Sequence, residues 1–210
     1  MGTLNGLVMK NCYKYFRGAA LGLCAIASLF AISAWAQEQA FQLDPAQTSV
    51  SFTLGDVLHT VHGTFKLKSG ALQLDKTGKM SGEIVVDAGT GNSGSGMRDR
   101  KMHKEVLEST KYPEIDFRSD RFDGNVASQG KSSVMVHGIF SIHGTDREIT
   151  VPAQVEMDGD HWTATVHFTV PYAKWGMKNP STLFLRVSDT VQIDVAAAGN
   201  VTRNTAASSQ

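Results

Sequence analysis

The sequence predicts an all-β domain, built as a sandwich or a closed barrel of antiparallel strands. Apolar and polar residues alternate with a period of two along most of the chain after residue 37. This alternation is typical of strands with one face on a core and the other in water. Glycines inside the strands, Gly63, Gly138 and Gly144, favour a barrel, because strongly coiled strands need positions at which the backbone can bend.

Before this domain, residues 1–36 have the three parts of a secretory signal peptide. A basic stretch precedes an apolar run over residues 18–33, and Ala34-Trp35-Ala36 has the small-x-small pattern of a cleavage site. We therefore expect cleavage after Ala36 and a periplasmic or secreted protein. The alternative is an uncleaved anchor that tethers the domain, since the apolar run approaches the length that spans a bilayer.

Cleavage would change the composition of the chain. Both cysteines, Cys12 and Cys24, lie in the signal, so we expect no disulfide, catalytic thiol or cysteine-ligated metal. The chain after Ala36 has 17 basic and 20 acidic residues, and this lack of basic surplus argues against nucleic acid as a partner. We predict one domain over residues 37–199 and a frayed tail over 200–210 that has little to bury.

Four strands have the clearest alternation. They are separated by turn signals at residues 75–78, 123–125 and 158–160, where an Asp is followed by Gly within a few residues. The apolar residues predicted to face inward along these strands are, in chain order, Val50, Phe52 and Leu54; Val61, Gly63, Phe65 and Leu67; Trp162, Ala164, Val166, Phe168 and Val170; and Val191, Ile193 and Val195.

One segment, between a strand ending near Asp87 and a strand starting at Glu114, breaks the alternation. Its first part is a Gly/Ser loop, and its second part, residues 99–109, has apolar residues at helical spacing. Pro113 marks the exit from this segment. We predict a single short helix that lies across one end of the barrel.

Candidate catalytic and metal sites are weak. His59 and His62 are three residues apart and lie on opposite faces of a strand, whereas His137 and His143 share a face but are too far apart to bind one metal ion. The glycine-rich loop lacks the spacing of a nucleophile elbow. We therefore predict no enzyme, no metal and no cofactor.

The helix carries a dense basic cluster. Arg98, Arg100, Lys101, His103 and Lys104 fall within seven residues. A solvated helix face is the ordinary interpretation, and the alternative is a polar collar for an anionic or hydroxyl head group. We select Arg98 and His103 as candidate head-group ligands.

Large side chains dominate the predicted interior. They either fill the barrel or line a cavity, and the sequence leaves both open. A cavity with this lining would hold a hydrocarbon chain. These residues are Phe52, Phe65, Phe117, Phe140, Trp162, Phe168 and Phe184.

Three blocks, in order along the chain, resemble the YceI-like family of lipid- and polyisoprenoid-binding proteins, and the likeness runs from about Phe41 to about Ala198. The first is FQLDPAQTSVSFTLGDVLHTVHGTFKLKSG, with the His59-x-Val61-x-Gly63-x-Phe65 pattern, and the second is MRDRKMHKEVLESTKYPEIDFRS, with a Met-His step before Tyr-Pro-x-Ile-x-Phe. The third is the hairpin HGIFSIHGTDREITVPAQV, with Gly138, Ile142, Gly144 and Pro152 in the expected places.

The resemblance implies a lipocalin-like, extended antiparallel β-barrel with a short helix near one end. It also implies an amphiphilic ligand with a long isoprenoid tail, a polyisoprenoid or a quinone, held in the barrel. We therefore expect a carrier of such a lipid, with transient membrane contact. The alternatives are a lipid-modifying enzyme that uses the same cavity, or a filled barrel that acts as an interaction module, such as a homodimer. The residues we select for the tail are Val50, Phe52, Phe65, Phe117, Phe140, Val166 and Phe168.

Overall fold

The computed structural model describes residues 38–55, 59–77, 79–183 and 185–204. The predicted signal peptide, Phe184 and residues 205–210 lie outside the described residues. The strands are β1 (Glu38–Leu43), β2 (Ser49–Gly55), β3 (Thr60–Leu74), β4 (Met80–Asn92), β5 (Glu114–Gly124), β6 (Gly130–Ile142), β7 (Thr145–Asp158), β8 (His161–Val170) and β9 (Val191–Asn204).

These strands form one antiparallel sheet that closes on itself. The sheet order is β2-β9-β8-β7-β6-β5-β4-β3, and β3 also pairs with β2, which completes the ring. β1 pairs with the same two strands as β2, further along each: Phe41 lies opposite Leu72 and Val201. β1 and β2 therefore share one strand position, and the barrel has eight strand positions in all. The predicted antiparallel barrel is confirmed.

The short helix is confirmed, with different bounds. α1 (Gly96–Lys101) continues directly into a π-helical turn, Met102–Val106. In that turn the Leu107 N–H donates to the Met102 carbonyl at 2.8 Å, the five-residue step of a π-helix. The helix thus begins three residues before the predicted start and ends three residues before the predicted end. Met102 and Val106 pack against the residues at one end of the barrel.

Glycine has two different roles in the barrel. His143 and Gly144 have φ of 53° and 68° and form the two-residue turn between β6 and β7, which matches the turns that hairpins favour. The prediction that Gly144 lies inside a strand is therefore wrong. Gly63 and Gly138 do lie inside strands, and a Cβ on Gly63 would come within 2.3 Å of the Phe52 ring, so the missing side chain makes room for the ring.

Two predicted boundaries are wrong because pairing continues past them. β4 runs to Asn92, which lies opposite Thr64 of β3, so the predicted loop after Asp87 begins later. β9 runs to Asn204, because residues 199–204 pair with β1. The frayed tail predicted from residue 200 is therefore strand as far as Asn204.

Two apolar clusters lie inside the barrel, one toward each end. We call the end with the first cluster the base and the end with the second the mouth. The base cluster is Phe41, Leu43, Leu67, Met157, Trp162, Ala164, Ala197 and Val201. The mouth cluster is Leu107, Phe140, Ile142, Val170, Tyr172 and Met177.

The two longest connections between the described strands both lie at the mouth. At the base, β3 joins β4 and β7 joins β8 through short turns. The mouth is covered by two longer segments, residues 93–113 and 171–190. Among the described residues, no helix has the length and apolar character needed to cross a membrane.

Candidate ligand-binding cavity

A cavity of about 560 Å³ runs through the barrel from the base to the mouth. Its wall includes Leu43 and Trp162 at the base, which are 2% and 6% exposed, and Met97 at the mouth, which is 75% exposed. The cavity therefore meets the protein surface at the mouth. Its volume lies in the range of pockets that hold small organic ligands.

Small side chains at neighbouring positions on three strands leave room for the cavity. Ala153 of β7, Ala164 of β8 and Ala197 of β9 all lie on its wall. Ala164 and Ala197 are directly opposite each other, and Ala153 is opposite Val166. An eight-stranded barrel is just wide enough for side chains to fill its interior, so three adjacent alanines leave space that larger residues would occupy.

The strand alternation predicted the apolar wall correctly. Apart from Gly63, each predicted inward residue of the four clearest strands lines the cavity. The ring centroids of Phe52 and Phe65 lie 5.4 Å apart, and those of Phe140 and Phe168 lie 5.8 Å apart in an edge-to-face arrangement. All seven candidate tail residues lie on this wall, and their contact with a ligand stays a prediction: Val50, Phe52, Phe65, Phe117, Phe140, Val166 and Phe168.

Charged and hydroxyl side chains are concentrated at the mouth. Apart from Thr48, the Ser, Thr, Lys and Arg side chains on the described wall belong to the two mouth segments. The Thr48 hydroxyl already accepts the Ala198 N–H at 3.3 Å. The wall therefore suits an apolar tail along most of its length and a polar group only at the opening. The polar mouth residues are Ser93, Ser95, Arg98, Lys101 and Thr182.

Arg98, a predicted head-group ligand, lies on the cavity wall at the start of α1. Its Nε donates to the Ser93 hydroxyl at 2.9 Å and its Nη2 donates to the Ser93 carbonyl at 2.8 Å. Asp99 accepts the Ser93 N–H at 2.8 Å, and the hydrogen bond from the Ser93 hydroxyl lowers the pKa of Asp99. These bonds fix the guanidinium at the opening and leave Nη1 without a hydrogen-bond partner among the described residues.

His103, the second predicted head-group ligand, is not among the residues that line the cavity. Its Nε2 lies 2.9 Å from the Gly91 carbonyl and its Nδ1 lies 3.2 Å from the Ser109 hydroxyl. Both ring nitrogens are therefore engaged within the protein, and they connect the π-helical turn to β4. Head-group contact at His103 stays a prediction that would require one of these bonds to break.

The second side of the mouth, residues 171–190, carries no motif that predicts a role in the site. Lys101 donates to the Pro180 carbonyl at 2.9 Å, and Lys178 pairs with Glu105 at 2.6 Å. Both contacts join this segment to the helix, and the Lys178 hydrogen bond lowers the pKa of Glu105. The Tyr172 hydroxyl donates to the Ser188 carbonyl at 2.6 Å, and burial raises the pKa of Tyr172 to about 12.

The other histidines do not converge inside the barrel. His137 lies 2.8 Å from Asp123 and 2.8 Å from the Thr150 hydroxyl, whereas Val136 and Phe140 of the same strand line the cavity. His143 is in the β6–β7 turn, where Glu108 lies 3.7 Å away. In the described part of the chain no group of three or more His, Cys, Asp and Glu residues could hold a metal ion.

Comparison with known proteins identifies related sequences and folds. The family model of the YceI-like domain matches residues 41–198, which is most of the chain. No curated protein matches the sequence.

Solved structures share the fold at low sequence identity. BcnA of Burkholderia cenocepacia has a TM-score of 0.62 at 18% identity, over 75% of this chain and 99% of its own. A polyisoprenoid-binding domain from Saccharophagus degradans, implicated in plant cell wall breakdown, has a TM-score of 0.61 at 15% identity, over 77% and 98%. The YceI protein of Campylobacter jejuni has a TM-score of 0.54 at 16% identity, over 68% and 86%.

Proposed function

The chain belongs to the YceI-like family, and from that premise we propose that it is an exported carrier of a long-chain amphiphilic lipid. The cargo is a polyisoprenoid or an isoprenoid quinone, held with its tail in the barrel and its head at the mouth. The observation that carries the proposal is the cavity, whose wall is apolar from the base to the mouth and polar at the opening. A polyisoprenoid-binding domain with the same fold supports an isoprenoid cargo.

The energetics favour a tail inside the barrel. Moving apolar surface out of water contributes about 25 cal/mol per Å², or about 0.8 kcal/mol per methylene group. The wall presents no unbonded charge along most of its length, so binding a tail there does not require a charged group to lose its water. Arg98 and Lys101 offer nitrogen donors to a head group at the opening.

A lipid-modifying enzyme is the first alternative. It needs polar groups that converge on one reacting atom inside the cavity. Inward-facing His137 and His143 beside an acid would have supported it. His137 instead lies beside Asp123 on the outer face, and His143 is in a turn. The proposed function therefore requires binding and release, with no catalytic step.

A filled barrel that serves as an interaction module is the second alternative. It predicts an interior without room for a hydrocarbon chain. The three alanines on β7, β8 and β9 and the cavity of about 560 Å³ favour the carrier instead.

Filling the cavity tests the proposal. Ala164→Phe adds a ring at the centre of the alanine patch, whereas Thr165→Phe adds the same ring to the exposed outer face of the same strand. We expect delipidated Ala164→Phe to bind an isoprenoid quinone at least about tenfold more weakly, because an overfilled pocket excludes the tail. Thr165→Phe should bind as the unmodified protein does.

Native mass spectrometry and organic extraction give the readout, and circular dichroism shows whether each variant is folded. Ala153→Leu, a smaller change at the same patch, serves if Ala164→Phe does not fold. An unmodified protein that takes up no prenyl lipid would contradict the proposal. Cell fractionation, with mass determination of the N-terminus, tests the exported location and the expected start at Gln37.

A further inference from the structure

Charge is distributed unevenly between the mouth and the rest of the chain. Residues 96–112 and 171–190 together contain eight Lys and Arg and four Asp and Glu. The remainder of the chain after residue 36 contains nine basic and sixteen acidic residues. The two segments that cover the mouth therefore carry a positive surplus in an otherwise negative domain. This asymmetry turns the opening of the cavity toward an anionic surface.

Several of the cations at the mouth are free to meet an external partner. Arg100, Lys104, Lys174 and Arg186 are exposed, and the ion pairs among the described residues leave all four without a carboxylate within 4.0 Å. Lys178 differs, since Glu105 already neutralises it. The four unpaired cations lie on both segments that cover the mouth, so they surround the opening from two sides.

Exposed apolar side chains occur at the same place. In the described chain the large apolar residues that are exposed are Met97 at 75%, Leu183 at 91% and Met135 at 39%. Met97 lines the cavity, and Leu183 lies between Thr182 and Leu185, which also line it. Apolar side chains beside unpaired cations are the composition of surfaces that lie in the headgroup region of a membrane.

We propose that the mouth docks on the surface of an anionic lipid bilayer, with Met97 and Leu183 in the headgroup region and the unpaired cations facing lipid phosphates. The inference rests on the proposed function, because a lipid carrier has to exchange its cargo with a membrane. Docking in this orientation places the cavity opening against the bilayer, so the tail passes between them without crossing water. A second copy of the chain fits this surface less well, because two positive mouths repel each other.

Co-sedimentation with phosphatidylcholine vesicles, with and without phosphatidylglycerol, tests the electrostatic part. The protein expressed from its full sequence should bind the anionic vesicles, and binding should weaken as salt screens the charges. Arg100→Glu combined with Lys104→Glu should lower the partition coefficient at least about tenfold, because each basic residue near an anionic surface contributes about fivefold. The matched control reverses Lys76 and Lys79 in the turn at the base and should change binding by less than about twofold.

A serine substitution tests the apolar part. Leu183→Ser should reduce binding to anionic vesicles about fivefold or more, because it removes an aliphatic side chain from the headgroup region. Met135→Ser, on the outer face of β6, is the matched control and should leave binding unchanged.

The outcomes separate docking from cargo binding. Native mass spectrometry of the same variants should still detect bound prenyl lipid, since none of these substitutions touches the apolar wall. Equal binding to neutral and anionic vesicles, or equal losses from reversals at the base and at the mouth, would overturn the docking proposal and leave the carrier function standing. Vesicle binding that persists in a protein without prenyl-lipid binding would overturn the carrier function instead. If the unmodified protein binds no vesicles but self-associates, and Leu183→Ser abolishes that self-association, the mouth surface would instead be assigned to a second copy of the chain.

Discussion

The base and the mouth of the barrel are held together by different kinds of contact. At the base, Trp162 packs edge-on against Phe41 with ring centroids 5.7 Å apart, and its indole N–H donates to the Asn200 carbonyl. At the mouth, the exposed ion pair of Lys178 with Glu105 and the half-buried hydrogen bond from Lys101 to the Pro180 carbonyl join two irregular segments. The base is therefore closed by buried packing. At the mouth, Leu107, Tyr172 and Met177 also pack against the barrel, and polar links join the helix to residues 171–190.

This difference assigns different tasks to the two ends. Buried aromatic packing contributes free energy that a transient opening would lose in full. Exposed ion pairs contribute little to stability, so segments joined by them separate and rejoin at low cost. We infer that the base stays closed while the helix and residues 171–190 separate from each other at the mouth.

The largest expected effect comes from removing the aromatic anchor of the base. Trp162→Ala should lower the free energy of unfolding by about 3–5 kcal/mol, the usual cost of deleting a large buried side chain. Trp175→Ala, at the half-buried edge of the mouth, should cost about 1–2 kcal/mol because less of its surface is removed from water. Urea denaturation followed by far-UV circular dichroism measures both.

An alanine substitution on the outer face of β8 controls for the effect of placing alanine in the strand. Thr163 lies next to Trp162 on β8 but faces solvent. Thr163→Ala should therefore lower the free energy of unfolding by much less than Trp162→Ala does. If Trp162→Ala and Trp175→Ala destabilised the protein equally, the contrast between the two ends would not hold.

The regular part of the barrel could be predicted from the sequence, because period-two alternation encodes both the strand and its inward face. The alternation assigns Phe52 and Phe168 to the interior, and both line the cavity. The boundary of β9 was missed, because residues 199–204 are held by pairing with β1 from the opposite end of the chain. No local pattern reports such a long-range partner.

The mouth was predictable only in part, for the same reason. The basic cluster makes Arg98 a candidate head-group ligand, and the structure has Arg98 on the cavity wall at the opening; its contact with a head group stays a prediction. The role of residues 171–190 was not predicted, because that segment has no strand or helix period. Its place depends on single contacts such as Tyr172 with Ser188 and Lys178 with Glu105, which join residues far apart in sequence.

The buried hydroxyl of Tyr172 gives a smaller effect with a defined pH dependence. Tyr172→Phe removes its hydrogen bond to Ser188 and should cost about 1 kcal/mol at neutral pH. Burial raises the pKa of Tyr172 to about 12, so the contribution of the neutral hydroxyl is complete below about pH 10, the ordinary tyrosine value. It is lost as the pH rises through about 12.

The stability difference between the unmodified protein and Tyr172→Phe should therefore shrink over this alkaline range. Denaturation curves at a series of pH values measure it. Tyr112→Phe removes a hydroxyl from the other side of the mouth and should leave the alkaline change in place. A difference that stayed constant through pH 12 would argue that the hydroxyl is not held in the buried site.

The smallest expected effect on stability, and the most direct test of the mouth, is the removal of the link between Glu105 and Lys178. Glu105→Gln should leave the unfolding transition unchanged at neutral pH, because both side chains are exposed. It should nevertheless speed transfer of a fluorescent prenyl lipid to acceptor vesicles several-fold, since the helix and residues 171–190 would separate more often.

Lys178 lowers the pKa of Glu105, so the link persists above the ordinary glutamate pKa of about 4.3 and is lost as the pH falls below it. Transfer from the unmodified protein should therefore approach that of Glu105→Gln only in acid. Glu156→Gln, which removes the exposed partner of Lys131 on the barrel wall, is the matched control. Equal transfer rates for Glu105→Gln and Glu156→Gln at neutral pH would show that lipid leaves by a route other than the parting of these two segments.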